Sequence, residues 1–157
     1  MNLPQLVIEV ASRPEASDIL TSPARCAEIT LLISIGDHGD LLPTGYENVS
    51  RKLRLLIADV ISEEGATVRD VCQIIELAES VRHLAGKVLI HCEAGVSRST
   101  AAALIMYACW LGPGREWDAM ELVLSQRPIA IPNRRMVSLA DKLLDRGGRL
   151  MEVLAQR

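Results

Sequence analysis

The strongest constraint on this chain is a short apolar run that stops at a tight polar loop and resumes as an Ala-rich apolar segment. The run is Lys87-Val88-Leu89-Ile90, and the loop is His91-Cys92-Glu93-Ala94-Gly95-Val96-Ser97-Arg98-Ser99. The second segment is Thr100 to Trp110. A run this short, with β-branched residues, reads as a strand buried on both faces, the pattern of parallel sheets. The segment after the loop is long enough for a helix and apolar nearly all round, so it too belongs in the interior. Strand, loop and helix in that order bring loop N–H groups and a helix N-terminus around one point, which is the geometry that holds an anion.

The rest of the chain supports an α/β fold, with a central, mostly parallel sheet flanked by helices. Leu6 to Val10, Glu28 to Ile35 and Leu53 to Ala58 are expected strands. Pro14 to Leu20 reads as a weak helical turn opened by its proline. From Thr67 to Leu84, Val71, Ile74, Ile75, Ala78 and Val81 recur at helical spacing, with Thr67 as N-cap and Gly86 as terminator. Gly112-Pro113-Gly114 stops the central helix. Two helices follow. Arg115 to Gln126 turns Trp117, Met120, Val123 and Leu124 inward. Asn133 to Arg146, capped by Asn133, turns in Met136, Leu139, Leu143 and Leu144. Gly36 to Arg51 is a long loop. No boundary interrupts the 157 residues, so residues 1–157 are expected to form a single catalytic domain.

The loop residues carry a specific chemistry. A cysteine attacks as its thiolate, and a positive helix start with Arg98 nearby favours that form at Cys92. The planar fork of Arg98 can hold two oxygens of one phosphate. Gly95 lets the backbone turn its amides inward, and the amides of Glu93, Ala94, Gly95, Val96 and Ser97 are the expected phosphate ligands. The Ser99 hydroxyl can donate to the sulfur. His91 orients the loop by hydrogen bonding rather than transferring protons. The coherent reading is covalent catalysis through a phosphocysteine.

Cys92, five intervening residues, Arg98 and the hydroxyl of Ser99 resemble the signature of the cysteine-dependent protein tyrosine phosphatases, and the dual-specificity branch most closely. Glu93-Ala94-Gly95-Val96-Ser97 is similar to the loop filling common in that branch. The resemblance implies a general acid on a loop after an earlier strand. Asp59 follows Leu53 to Ala58 and takes that place, with Glu63 and Glu64 on the same loop as rivals. It lacks the preceding Trp-Pro pair of classical tyrosine phosphatases. The linker Arg127-Pro128 to Pro132-Asn133 also resembles the family's link between its last helices. The implied reaction is hydrolysis of phosphate monoesters on phosphotyrosine, and on phosphoserine or phosphothreonine, within a phosphoprotein. A small-molecule phosphatase, a persulfide-carrying sulfurtransferase or a non-catalytic phosphate-binding module are the alternatives.

Composition narrows the partners. A net charge of −3 offers no electrostatic case for nucleic acid or an anionic membrane. The start of the chain is neither basic nor extended in its apolar run, so no signal peptide is expected, and no apolar run reaches membrane-spanning length. Four cysteines without paired spacing suggest reduced thiols and a cytoplasmic location. No cofactor is implied, and His38, His83 and His91 show no metal-ligand spacing. Neutral or acidic loop fillings argue against a polyphosphorylated head group. The aromatics Tyr46, Tyr107, Trp110 and Trp117 are too few to wall a deep slot, with Tyr46 alone on a rim loop. Arg134 and Arg135 could assist a second phosphate, although a solvated helix start explains them too.

Overall fold

The computed structural model describes residues 4–155. Four strands are present: β1 (Gln5–Ala11), β2 (Ile29–Gly36), β3 (Lys52–Leu56) and β4 (Ala85–His91). Seven helices accompany them among the described residues: α1 (Arg13–Leu20), α2 (Pro23–Cys26), α3 (Val68–Ser80), α4 (Arg98–Leu111), α5 (Glu116–Gln126), α6 (Arg134–Leu143) and α7 (Arg149–Ala155). The strands form one sheet in the order β1-β4-β2-β3, and every pairing is parallel. The expected α/β architecture is therefore present, with β4 in the middle of the sheet.

The side-chain alternation of strands sorts the core into two faces. Val88 and Ile90 point with Leu31, Ile33 and Ile35 into a large cluster built from α3, α4, α5, α6 and α7. Leu89 and Leu32 point the other way, into a smaller cluster with Ala16, Ile19 and Leu20 of α1. Helix α4 runs through the large cluster and is buried from Arg98 to Trp110, as its apolar sequence requires. Its Trp110 donates Nε1–H to Ala78 O at 2.8 Å, which satisfies the one polar atom of a buried indole.

Several boundaries differ from the sequence reading, each for a local reason. The weak turn at Pro14 is a complete helix, because Ser12 and Glu15 form a reciprocal capping box at its start. Strand β3 ends at Leu56, so Ala58 lies beyond it, although Ile57 N still donates to Gly36 O at 2.7 Å. Thr67 caps α3 as expected, but Gly86 does not terminate that segment; it lies inside β4 with φ +117. A Cβ at Gly86 would collide with Thr30 Oγ1, which bonds the neighbouring Ala85 carbonyl at 2.7 Å.

Trp117 and Leu143 are exposed rather than inward, at 49% and 41%. The inner position of the first turn of α5 belongs to Glu116, whose carboxylate pairs with buried Arg146 at 2.7 Å. A charged residue thus displaces the tryptophan through about one residue of helical rotation. The sequence reading also stops short of α7. Two glycines, Gly147 and Gly148, hide its start, and the Asp141 carboxylate caps it by accepting from Gly148 N and Leu150 N.

Because the strands are parallel, their carboxyl ends lie on one edge of the sheet. Ser12, Asp37, Asp59 and Cys92 all follow strand ends there. In open α/β sheets this edge is where ligands bind.

Candidate functional site

The loop from Cys92 to Ser97 joins the central strand to the central helix, and its carbonyls are all engaged. Arg13 N donates to Glu93 O at 3.1 Å. Arg127 reaches Gly95 O through Nε at 3.0 Å and Ala94 O through Nη2 at 3.3 Å. Ile131 N donates to Val96 O at 2.9 Å, and Asn133 N to Ser97 O at 3.0 Å. Thr100 Oγ1 adds a bond to Val96 O at 2.6 Å. No peptide bond among the described residues is cis. In a trans peptide the C=O and N–H point in opposite directions. Carbonyls drawn outward from Glu93 to Ser97 therefore turn the N–H groups of Ala94 to Arg98 inward. Gly95, at φ +70, makes this turn; a Cβ there would approach Ala11 C, Ser12 N and Arg127 Nη2 at 2.7 Å.

Cys92 lies at the base of this cradle, 2% exposed, with its Sγ 3.1 Å from Ser99 Oγ. Arg98 is buried and donates through Nη1 to Ile57 O at 2.8 Å. Its Nε is buried without a hydrogen-bond partner. A buried guanidinium nitrogen without an acceptor is costly, and an oxyanion in the loop would supply the acceptor.

Asp59 meets the same loop from the end of β3. Its Oδ1 accepts from Ser97 Oγ at 2.8 Å and from Asn133 Nδ2 at 3.0 Å. Both bonds fall on one oxygen, which leaves Oδ2 for a reacting group. Glu63 and Glu64 are exposed, and no hydrogen bond ties either to the loop among the described residues. Of the three carboxylates on this segment, Asp59 is the one that is held at the site.

His91 is 1% exposed and links two layers. Arg54 Nη1 donates to Ser34 Oγ at 2.8 Å, so the Ser34 hydroxyl is free to donate to His91 Nε2 at 2.6 Å. The ring then carries its proton on Nδ1, which donates to Cys92 O at 3.0 Å. Burial pushes the imidazole below its ordinary value, reinforced by the nearby Arg54 charge and opposed by the bond to Cys92 O. His91, expected to orient the loop, thus bonds the carbonyl of Cys92 at the loop's start. Glu93 points away from the cradle instead of into it, paired with Arg13 at 2.9 and 3.1 Å. That bond is also what lowers the Glu93 carboxyl below its usual range. His38 and His83 are exposed and stand outside the site.

Sequence reasoning noted Arg127 and Asn133 only as a linker pattern and a helix cap. Arg127 also pairs with Glu15 at 2.8 Å and pulls that carboxyl down to about 2, with the Ser12 N–H helping. Arg13, Ser34 and Arg54 carried no local signal, because their partners are remote in sequence, whereas the Ser12-x-x-Glu15 spacing was a local capping-box signal for Glu15.

With this geometry in place, the similar structures are informative. The crystal structure of DUSP15 superposes with a TM-score of 0.68 at 26% identity, covering 99% of this chain and 93% of that one. A human tyrosine phosphatase-like serine/threonine/tyrosine-interacting protein gives 0.67 at 25% identity, with 90% and 91% covered. The chain is dual-specificity-phosphatase-like. Human DUSP28 gives 0.65 at 23% identity over 88% of each chain and shares the fold. No protein-family model and no curated protein sequence matches the chain. A dual-specificity-phosphatase-like fold accounts for the position of the cradle at the end of the central strand.

Two outcomes test the loop's supports. Arg127→Ala frees the Ala94 and Gly95 carbonyls and should weaken tungstate binding by about tenfold in calorimetry. Unchanged affinity would mean that the carbonyls keep their direction without Arg127. His91 should make stability depend on pH. Its folded value lies below the ordinary 6.5, so its contribution is whole above that pH. Below it the contribution fades, because the unfolded chain takes a proton that the folded chain refuses. Between about pH 7.5 and about pH 5.5, the wild-type melting temperature should fall more than that of His91→Gln. Equal slopes would mean that folded His91 takes up its proton as readily as in the unfolded chain.

Proposed function

We propose that this protein hydrolyses phosphate monoesters on phosphoproteins through a phosphocysteine intermediate, as a single catalytic domain in a reducing, cytoplasmic setting. The observation that carries the reading is the cradle itself. Inward N–H groups and an unpartnered Arg98 nitrogen surround a cysteine sulfur, with a carboxylate held on the rim.

The steps follow from the residue chemistry. The phosphoryl oxygens are bound by the N–H groups of Ala94 to Arg98 and by the Nε–Nη2 edge of Arg98, whose Nη1 is fixed by Ile57 O. The Cys92 thiolate attacks phosphorus, forming a P–S bond as the P–O bond to the substrate breaks. Protonated Asp59 gives its proton to the departing oxygen. Asp59 then accepts a proton from a water that attacks phosphorus, the P–S bond breaks, and inorganic phosphate leaves. Ser99 Oγ, 3.1 Å from the sulfur, stabilises the thiolate as it departs.

The rim suits an open, shallow site. Tyr107 and Trp110 are buried, and Tyr46 packs into the smaller core cluster beneath Lys52. Aliphatic side chains, including Leu41, Val60, Ile61 and Ile131, are the exposed apolar groups on the surrounding loops. Such a rim accommodates phosphotyrosine together with phosphoserine and phosphothreonine. A phosphate-binding module is the second reading, favoured by the similar structure described as a phosphatase-like interacting protein.

Hydrolysis of para-nitrophenyl phosphate and of phenyl phosphate tests the proposal. Wild type should turn over both in the presence of a chelator, and Cys92→Ser neither, while retaining tungstate binding. Asp59→Asn should slow phenyl phosphate by about a hundredfold and the activated ester far less. Equal losses on both esters would remove Asp59 from the acid role. Oxyanion binding without any turnover by wild type would establish the binding module instead.

A further inference from the structure

Beside Asp59 the surface opens into a groove of about 260 Å³ whose charge is opposite to that of the whole protein. One wall is the stripe Arg134, Arg135, Ser138 and Lys142 of α6, facing Ile61 on the loop that carries Asp59. No acidic side chain lines it. Asp141, the carboxylate of α6 adjacent to Lys142, is buried and turned to Gly148 N and Leu150 N. Arg135 is held in place by donating Nε to Ala66 O at 2.6 Å, whereas Arg134 and Lys142 are exposed. Three cations without a carboxylate, in a chain of net charge −3, form a local field of their own.

The groove also begins where a substrate would leave the cradle. Asn133, which holds Asp59 Oδ1, directly precedes Arg134, and Ile61 lies two residues beyond Asp59. The ester oxygen protonated by Asp59 is attached to the rest of the substrate, so that substrate runs outward past these residues. The opposite rim carries exposed Asp40 and half-buried Asp37, while Glu93 there is paired with Arg13, so no row of cations faces the substrate on that side.

Resting on the phosphatase reading, we propose that the α6 stripe is a specificity subsite for anionic side chains, carboxylate or a second phosphate, flanking the phosphorylated residue of a protein substrate. The stripe from Arg134 to Lys142 is about 12 Å long at about 1.5 Å per helical residue. An extended peptide advances about 3.3 Å per residue, so the stripe spans about four substrate residues. A linear row of cations matches an extended chain better than a compact ring of phosphates.

The test compares kcat/KM at low ionic strength for matched phosphopeptides. One is neutral, one carries glutamates within four positions on either side, and one carries phosphoserine there. Para-nitrophenyl phosphate is assayed alongside. The anionic peptides should exceed the neutral one by about tenfold, the scale of a few exposed charge pairs, and the ratio should shrink with added salt. Preference for the phosphoserine peptide alone would support the subsite as one for phosphate, and preference for both as one for anions generally. In Arg134→Glu/Lys142→Glu, and more mildly in the double alanine variant, the ratio should return toward one. Equal rates on all peptides, with all of them hydrolysed, would overturn the subsite and leave the phosphatase reading standing. Faster hydrolysis of a phosphoinositide in vesicles than of every peptide would overturn it as well. No hydrolysis of para-nitrophenyl phosphate would overturn the phosphatase reading beneath it.

Discussion

The outward pull on the peptide carbonyls between Cys92 and Ser97 is the interaction on which the rest of this site depends. Five successive N–H groups pointing at one another's electrostatic field are unfavourable without an anion, and the fold must hold them there. It does so by giving each opposing carbonyl a donor outside the loop: Arg13 N, Arg127, Ile131 N, Asn133 N and Thr100 Oγ1. These donors come from α1, from the linker before α6 and from α4 itself. The linker is thus part of the site, although none of it lies in the loop motif.

Two exposed ion pairs tie the same parts together. Arg127–Glu15 and Arg13–Glu93 both connect the Cys92–Ser97 loop or its supports to α1. Exposed pairs of this kind contribute little to global stability. Their role here is directional, since Arg127, held by Glu15 through Nη1 and Nη2, also gives Nε to Gly95 O and Nη2 to Ala94 O. The Glu15 contribution is whole above its ordinary 4.5 and is lost only as the pH falls toward about 2. Across the range in which a cysteine phosphatase would work, this tether stays charged. Beneath the loop, burial disfavours the charged imidazole, and the Arg54–Ser34–His91 relay keeps its Nδ1–H directed at Cys92 O.

Much of the fold was legible because hydrophobic periodicity and burial are local signals. The four strands, the helix through Ala101 to Trp110 and the caps at Thr67 and Asn133 could all be read from spacing. The loop from Cys92 to Ser97 was legible because the proposed chemistry needs particular residues at adjacent positions. Asp59 could be named on the loop after β3 but not separated from Glu63 and Glu64, since the bonds from Ser97 and Asn133 that tie it to the Cys92–Ser97 loop are long-range. Trp117 was misread for a related reason. Hydrophobicity places tryptophan inside, yet the buried partner Arg146 draws Glu116 inward instead. Helix α7 was missed because its cap, Asp141, belongs to another helix.

The most direct test of this account is the backbone amide spectrum of ¹⁵N-labelled protein titrated with tungstate, an oxyanion that needs no turnover. The account requires saturable shifts concentrated on the N–H groups of Ala94 to Arg98 and on the Arg98 Nε–H. It also requires those shifts to weaken in Arg127→Ala. Tungstate that binds while these resonances stay fixed would contradict it, because the amides would then not face the anion and the cradle would not exist as described.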